Sequence, residues 1–167
     1  MTQEVKRNYL EISSLKDFKE IKKISNNNSL ELLSPTNFQL NKFFYKNVGK
    51  KHQWVDRLVW SEAQWIDYVS SKNVKTYIFK HKENLVGFFE LIFHIENKEK
   101  EIAYFGLLEE FQNKKLGSYL LSEAIKISFS ENINRVWLHT SSLDHKNALN
   151  NYISRGMQIF KTETVVI

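Results

Sequence analysis

The sequence contains no cysteine, one proline and five glycines among its 167 residues. The lack of cysteine excludes disulfide bonds, thiolate zinc sites and a cysteine nucleophile. So little proline and glycine leaves no flexible linker between domains, and we expect residues 1–167 to form a single domain. Hydrophobic residues make up 42% of the chain and aromatic residues 14%, which is enough for a packed core.

The excess of one charge sign is also small. The chain has 24 Lys and Arg residues and 19 Asp and Glu residues, which gives a formal net charge of +5. This diffuse excess suits a phosphate-bearing cofactor, whereas the clustered cations that grip nucleic acid are missing, so we expect no nucleic-acid partner. No run approaches the ~20 apolar residues of a membrane span. The segment Met1–Ser14 carries charges where a signal peptide needs an apolar core. We therefore expect a cytoplasmic protein without a membrane partner.

Two capping-box patterns precede amphipathic runs and predict the starts of two helices. The pairs are Thr36 with Gln39 and Ser61 with Gln64. Trp60 and Trp65 stand where a hydrophobic staple would fix the entry of the chain into the second helix. Earlier in the chain a short amphipathic segment precedes a strand-like stretch at Leu30–Leu33. Its apolar residues are Leu15, Phe18, Ile21 and Ile24.

The rest of the chain alternates between strand-like and helix-like periodicity. Three strands of an antiparallel meander are followed by a helix from Leu116, a short strand, a helix capped by Asp144 and ended by Gly156, and a closing stretch of one or two strands. The predicted strands are Val74–Lys80, Leu85–Ile95, Glu101–Leu108, Arg135–Thr140 and Met157–Ile167. This order indicates a mixed α/β sheet, in part antiparallel and in part parallel.

The loop Gln112–Ser118 joins a strand to a helix, so free backbone N–H groups converge there at a helix amino terminus. Lys114 and Lys115 lie at this end, although the helix dipole disfavours cations there. A pyrophosphate would resolve the conflict by accepting backbone hydrogen bonds beside the lysines, while Gly117 would let the main chain approach it closely. The alternative is a solvated basic turn.

The stretch Glu101–Leu121 (EIAYFGLLEEFQNKKLGSYLL) resembles the acetyl-CoA signature of the GNAT superfamily, in which an apolar strand leads to a Gln/Arg-x-x-Gly-x-Gly/Ala loop and a helix. Gln112 and Gly117 match this pattern, whereas Lys115 occupies a position where the family normally has glycine. The resemblance extends over Tyr45–Met157 and is closest to an uncharacterised bacterial subgroup. It implies an α/β GNAT fold, with a mixed and mostly antiparallel sheet flanked by helices and parallel splayed strands at the acetyl-CoA site.

The resemblance also implies where acetyl-CoA would bind. Its pantetheine arm would pair like an extra strand with the backbone of Phe105–Leu108, where Gly106 would allow a bulge. In many family members an asparagine stands at the place of His145 here, and Asn147 lies close by. No metal is expected. The residues implied for the cofactor are Phe105, Gly106, Leu107, Leu108, Gln112, Asn113, Lys114, Lys115, Leu116, Gly117, Ser118, His145 and Asn147.

The activity that the resemblance implies is transfer of an acetyl group from acetyl-CoA to a primary amine, by direct attack in a ternary complex. An amine with a pKa near ~10.4 arrives protonated and needs a base. Glu101 is the first candidate, because its spacing before Gln112 is similar to that of the general-base glutamate in histone-acetylating GNAT enzymes. Glu90 lies in an apolar strand, and strand pairing can bring it beside Glu101. His139, at the end of a strand, is the third candidate.

Tyr152 resembles the tyrosine that many GNAT enzymes use to protonate the departing CoA sulfur, four residues before a glycine that here is Gly156. The alternative reading is a core tyrosine on the apolar stripe of its helix.

The acceptor is expected over the segment before the meander, as in the family. Trp54, Arg57 and Trp60, near His52, combine aromatic surface with a fixed cation that can hold a carboxylate or phosphate. Alternatively the tryptophans are core and Arg57 is an exposed salt-bridge partner. We expect a small-molecule amine as partner, with a protein amino group and a homodimer as further options. The second functional hypothesis is a non-catalytic acyl-CoA sensor, prompted by Lys115 and His145.

Overall fold

Strands and helices alternate through most of the chain in the computed structural model, which describes residues 2–23 and 25–167. The strands are β1 (Glu4–Ile12), β2 (Asn28–Leu32), β3 (Val74–His81), β4 (Asn84–His94), β5 (Glu99–Leu107), β6 (Arg135–Ser141) and β7 (Gln158–Val166). The α-helices are α1 (Phe38–Gly49), α2 (Glu62–Ser70), α3 (Leu116–Ser128) and α4 (Ala148–Ser154). None of these four helices combines the length and apolar character that a membrane crossing requires.

The strands form one sheet in the order β2-β3-β4-β5-β6-β1-β7. Every neighbouring pair is antiparallel except β5 and β6, which run parallel. The mixed α/β sheet, mostly antiparallel with a parallel pair, is therefore confirmed. Between β5 and β6 the pairing covers only Glu99–Glu101 with Arg135–Trp137.

Strand β1 lies between β6 and β7 and pairs with both, a feature that the sequence did not reveal. Its charged residues hide the strand, because only Val5, Leu10 and Ile12 are buried along its nine residues. Leu10 and Ile12 lie opposite Leu138 and Val136 of β6 and join the core on one face of the sheet. The segment that follows, residues 13–23, contains no helix or strand. Ile24 lies outside the described residues.

The two predicted capping boxes have different outcomes. The pair Ser61 and Gln64 makes both hydrogen bonds of the box, and the Trp60 and Trp65 rings meet at 5.0 Å, which confirms the box. The box of Thr36 and Gln39 is wrong. Helix α1 is instead capped by Asn37, whose side-chain oxygen accepts a hydrogen bond from the Gln39 N–H at 3.1 Å. Asparagine is as strong a cap as any residue, and its short side chain reaches the second N–H.

Asp144 does not cap α4, because this helix begins at Ala148 with Asn147 in the cap position. Its carboxylate accepts hydrogen bonds from the Thr140 hydroxyl group at 2.5 Å and from the Ser141 N–H at 2.8 Å. It therefore closes the turn after β6. Gly156 does end the helix, with a positive φ of 106° that favours glycine.

The two faces of the sheet are covered differently. Helix α3 packs on one face through Leu120 and Ile125, against the core side chains of the central strands. Helix α1 packs on the other face through Phe44, whose ring stacks on Phe88 of β4 at 5.0 Å. On this second face, β6 and β1 carry aromatic and polar side chains, with Tyr9 beside His139.

A β-bulge interrupts the pairing of β4 with β5. Glu90 pairs with Tyr104 and Leu91 pairs with Ile102, so Ala103 is the extra residue. We expected a bulge at Gly106, but the bulge lies three residues earlier in the chain. Gly106 is required instead by close packing against α1, since a Cβ atom there would lie 2.4 Å from Cγ1 of Val48.

The substitution Gly106→Ala should lower the free energy of unfolding by about 1–3 kcal/mol, because the added methyl group overpacks the contact with α1. Val48→Ala removes the clashing atom, so Gly106→Ala should cost clearly less in that background. Urea unfolding of the four proteins measures the coupling. Equal costs in both backgrounds would contradict the close approach.

Candidate active site

A cleft of about 570 Å³ opens where β5 and β6 cease to pair. Ile102–Leu107 of β5 form one wall, and Leu138, His139 and Ser141 of β6 form the opposite wall. The volume lies in the range of small-molecule sites. The pairing of β5 with β6 ends at Glu101 and Trp137. Beyond Glu101, the backbone groups of β5 on the side of β6 therefore have no strand partner among the described residues and are free to form hydrogen bonds. The cleft therefore offers a strand edge to an extended ligand.

The loop before α3 forms one end of the cleft through Gln112, Asn113, Lys115, Gly117 and Ser118. Lys115 is in the cap position of α3 but its side chain makes no capping hydrogen bond, so the first N–H groups of the helix have no partner from a cap. Lys115 adopts a φ of 62°, in the left-handed region. This conformation costs a residue other than glycine about 1–2 kcal/mol, which fits the glycine that the resemblance implies at this position.

Gly117 is required neither by its backbone nor by packing. It has no positive φ, and a Cβ atom there would meet only the Leu107 side chain, at an ordinary 3.7 Å. The space beside it belongs to the cleft. A glycine that leaves open room next to the free N–H groups of a helix amino terminus fits a bound phosphate group.

Ten of the thirteen residues predicted for the cofactor line the cleft. They are Phe105, Gly106, Leu107, Gln112, Asn113, Lys115, Gly117, Ser118, His145 and Asn147. Leu108 and Leu116 are buried in the core, and Lys114 places its ammonium group 5.8 Å from the centre of the Phe111 ring. Binding of acetyl-CoA by these residues stays a prediction.

Tyr152, on α4, lines the cleft and is almost completely buried. Burial raises the pKa of its hydroxyl group well above the usual value of 10, and the nearby Asp144 raises it further. The hydroxyl group therefore keeps its proton at neutral pH and is available as a proton donor.

His139 lines the cleft on the face of the sheet opposite α3. Its ring lies 5.4 Å from that of Tyr9. His139 is exposed at the cleft wall, and partial desolvation lowers its pKa from the usual 6.5, as does the positive charge of Arg7. The imidazole is neutral at pH 7 and can accept a proton.

Glu101 is not among the residues that line the cleft. It lies on β5 at the last paired position, opposite Trp137, and its carboxylate is 3.2 Å from Nε2 of His94. Since Trp137 and His139 are two residues apart on β6, Glu101 shares a face of the sheet with His139. Its negative charge acts on the pKa of His139 in the upward direction, against the larger effect of desolvation.

Glu90 is completely buried beneath α1 and α2 and does not line the cleft. One of its oxygens accepts hydrogen bonds from Arg57 at 2.9 Å and from the Tyr68 hydroxyl group at 2.7 Å, and the other accepts from Asn41 at 2.8 Å. It pairs with Tyr104 and not with Glu101. The carboxylate is thus a fixed ion-pair partner, which does not favour it as a base.

Arg57 lies in an aromatic cage. The distances from its guanidinium carbon to the ring centres are 4.1 Å for Tyr68, 4.3 Å for Tyr104 and 4.7 Å for Trp60. Like Trp60, it does not line the cleft, and it is buried instead of exposed as the alternative reading had it. Trp54 is the member of the predicted acceptor set that lines the cleft. Its indole N–H donates to Asp144 at 3.4 Å, and its ring lies 4.8 Å from Tyr104.

Sequence reasoning missed a group of cleft residues from two parts of the chain. One part is the segment next to Trp54, and the other is the edge formed by β1 and β7. The missed residues are Gln53, Val55, Asp56, Val5, Arg7, Val165 and Ile167. The apolar residues Val5, Leu10 and Ile12 were the available signal for β1, but the charged and polar residues between them obscured it.

A mixed α/β sheet that opens at a parallel pair, next to a helix amino terminus, is the arrangement that the resemblance to acetyltransferases implies. The sequence profile of the acetyltransferase (GNAT) family matches residues 35–157. The chain belongs to the GNAT acetyltransferase family. No curated protein matches the sequence.

Solved structures share the fold at low sequence identity. A functionally unknown conserved protein from Staphylococcus epidermidis is 19% identical with a TM-score of 0.66, over 99% of this chain and 62% of that one. A GCN5-related N-acetyltransferase from Sphaerobacter thermophilus is 12% identical with a TM-score of 0.72, over 97% of this chain and 50% of that one. Spermidine N-acetyltransferase from Vibrio cholerae, in complex with CoA and spermine, is 17% identical with a TM-score of 0.65, over 86% and 96%.

The chain thus spans between half and about three fifths of the length of the first two of these proteins. That residues 1–167 form one domain stays a prediction.

The substitution Glu90→Gln should lower the free energy of unfolding by about 3–5 kcal/mol, because it leaves the buried Arg57 without its counter-charge. Glu109→Gln is the matched control. Glu109 also pairs with a cation, Lys51, but the pair is exposed, so its loss should cost less than about 1 kcal/mol. Denaturant unfolding of both variants measures the difference. Similar small losses in both would contradict a structural role for the Glu90 ion pair.

Proposed function

We propose that the protein is an N-acetyltransferase that transfers the acetyl group of acetyl-CoA to a primary amine of a small molecule, by direct attack in a ternary complex. The observation that carries the proposal is the continuity of one cleft from the loop Gln112–Ser118, past Tyr152, to His139 on the other face of the sheet. A phosphate-suited end, a proton donor and a proton acceptor therefore share one space. The fold shared with a spermidine N-acetyltransferase supports a small amine as acceptor.

In this proposal, different residues bind different parts of acetyl-CoA. Backbone groups of Ala103–Leu107 hold the pantetheine arm as an added strand, and the first N–H groups of α3 hold the pyrophosphate beside Gly117. Lys115 supplies a positive charge at the same place. The bound thioester supplies the activated acetyl group.

His139 is the proposed base. An acceptor ammonium group must lose a proton before its nitrogen can attack the thioester carbon, and the neutral imidazole in the cleft accepts that proton. Glu101 lies outside the cleft lining, and its negative charge favours the protonated form of His139. Glu101 remains the alternative base. Glu90 is not carried forward, since its carboxylate is enclosed by Arg57, Tyr68 and Asn41.

Tyr152 is the proposed acid. As the new nitrogen–carbon bond forms and the carbon–sulfur bond breaks, Tyr152 donates its hydroxyl proton to the departing sulfur. The attacking nitrogen releases its second proton to water, and Tyr152 regains a proton from water. The raised pKa makes the Tyr152 hydroxyl group a weaker acid than a thiol, so the position of this group beside the departing sulfur matters more than its acidity. No nucleophile of the protein is needed, because the amine attacks directly.

A second candidate function is an acyl-CoA sensor without turnover. It is favoured by Lys115, which holds a strained left-handed conformation in the loop and departs from the glycine of the family pattern. In that case CoA binding would occur without transfer to any amine.

His139→Gln and Tyr152→Phe should each lower kcat by about 100-fold, in the range of lost acid–base catalysis. Because the pKa of His139 is lowered, parental kcat should stay high near pH 7 and fall only as the pH drops below 6.5, where the base becomes protonated. The measurement is release of free CoA from acetyl-CoA across a panel of amines and pH values. His81→Gln, whose ring bonds Asn28 outside the cleft, is the control.

Two results would contradict this assignment. Binding of acetyl-CoA by calorimetry without amine-dependent CoA release from any panel member would favour the sensor. Parental activity in both variants would remove His139 and Tyr152 from the mechanism.

Gly117→Ala should weaken CoA binding at least about 10-fold, because its methyl group fills the space proposed for the phosphate. The fold should keep its stability or gain up to about 1 kcal/mol, since glycine is a poor helix residue. Calorimetry with CoA and with pantetheine, which lacks the pyrophosphate, separates the contributions. Unchanged CoA affinity, or an equal loss for pantetheine, would refute the phosphate position.

A further inference from the structure

Arg7 brings a guanidinium group into the cleft from β1, a strand outside the residues 35–157 that match the family profile. It pairs in the sheet with Ser141, and Tyr9 pairs with His139. The side chains of Arg7 and His139 therefore lie on the same face, one step apart along two neighbouring strands. This is the face on which an acceptor must meet the proposed base.

The guanidinium group of Arg7 makes no hydrogen bond with the described part of the chain. Its nearest carboxylate oxygen, Oε1 of Glu163, is 3.6 Å away and already accepts a hydrogen bond from the Tyr9 hydroxyl group at 2.7 Å. The Arg7 Nε atom is buried without a partner, whereas the side chain as a whole is 31% exposed. Buried polar groups in proteins are normally satisfied, so an arginine with unused donors in a cleft indicates a missing acceptor.

Arg7 has no carboxylate to itself among the salt bridges of the described residues. Arg7 and Lys161 share the single carboxylate of Glu163, whose second oxygen lies 3.4 Å from the Lys161 ammonium group. The one carboxylate that approaches Arg7 is therefore divided between two cations. A guanidinium group holds a carboxylate through two parallel hydrogen bonds, and these are stronger than neutral ones.

Apolar side chains adjoin Arg7 on the same wall of the cleft. Val5 belongs to the same strand, Val165 pairs with Val5 from β7, and Ile167 follows. We propose that the acceptor amine carries a carboxylate group bound by Arg7 and an apolar body packed on these three side chains, as an apolar α-amino acid does. This inference rests on the proposed function, since it names the acceptor class of that site.

A matched series of acceptors tests the inference. Leucine should be acetylated with a lower KM than leucinamide or 3-methylbutylamine, which lack the carboxylate. Arg7→Gln should raise the KM for leucine about 10- to 100-fold, the range for hydrogen bonds to a charged group, with little change in kcat. Assayed well above the pH at which His139 titrates, where loss of the Arg7 charge does not change the protonation of the base, it should leave the other two amines unaffected. Lys6→Gln, which removes a positive charge from the exposed neighbouring position of β1, is the control and should change nothing.

Binding supplies a readout that needs no turnover. Calorimetry should show leucine binding to the CoA-loaded protein and a matching loss in Arg7→Gln, with Arg7→Lys in between because it keeps the charge without the fork. Arg7→Lys also serves where Arg7→Gln fails to fold.

Equal kcat/KM for the three acceptors with no effect of Arg7 substitution would overturn the inference and leave acetyl transfer standing. Absence of both binding and acetylation of leucine would overturn it as well. Arg7-dependent binding of leucine without CoA release would support the carboxylate site while refuting the proposed transfer.

Discussion

The short parallel contact between β5 and β6 is the constraint on which the rest of the molecule depends. Only Glu99–Glu101 and Arg135–Trp137 pair, and beyond them each strand bonds its other neighbour alone. Two free strand edges inside a protein are costly unless a ligand or water satisfies them. The bulge at Ala103 re-aims β5 at this point. The cleft is therefore a consequence of the sheet's own geometry, and the side chains around it only specify what enters.

The cluster centred on Glu90 shows how a buried charge can serve a site that it does not touch. Its partner Arg57 belongs to the same short segment as Trp54, which forms part of the cleft wall. A buried ion pair is a weak source of net stability, because desolvating two charges offsets most of their attraction. Here the aromatic cage and the hydrogen bonds from Tyr68 and Asn41 complete the pair. The cluster fixes the path of the segment that carries Trp54 along the cleft, and this positioning, not a gain in net stability, is what the ion pair contributes.

The sequence predicted the parts of this protein that depend on local patterns. Ser61 with Gln64 marked a helix start correctly, since a capping box involves residues three apart. The loop before α3 was found because lysines opposed a helix dipole. The ion pair of Glu90 with Arg57 was not predicted, because it joins residues 33 positions apart and no local pattern reports that distance. Strand β1 was missed for the same reason, since both of its partners lie more than a hundred residues along the chain.

Strand β1 links the fold to the acceptor side of the cleft. Leu10 and Ile12 on one face complete the core against α3, while Arg7 on the other face lies beside the proposed base. Because side chains alternate along a strand, a shift of one residue in its pairing would bury Arg7 and expose the core residues. The hydrophobic cost of that exchange fixes the register, and the fixed register places the guanidinium group. The same interaction that holds the amino-terminal strand in the sheet thus positions a charge for the acceptor, and it does so from outside the segment that defines the family.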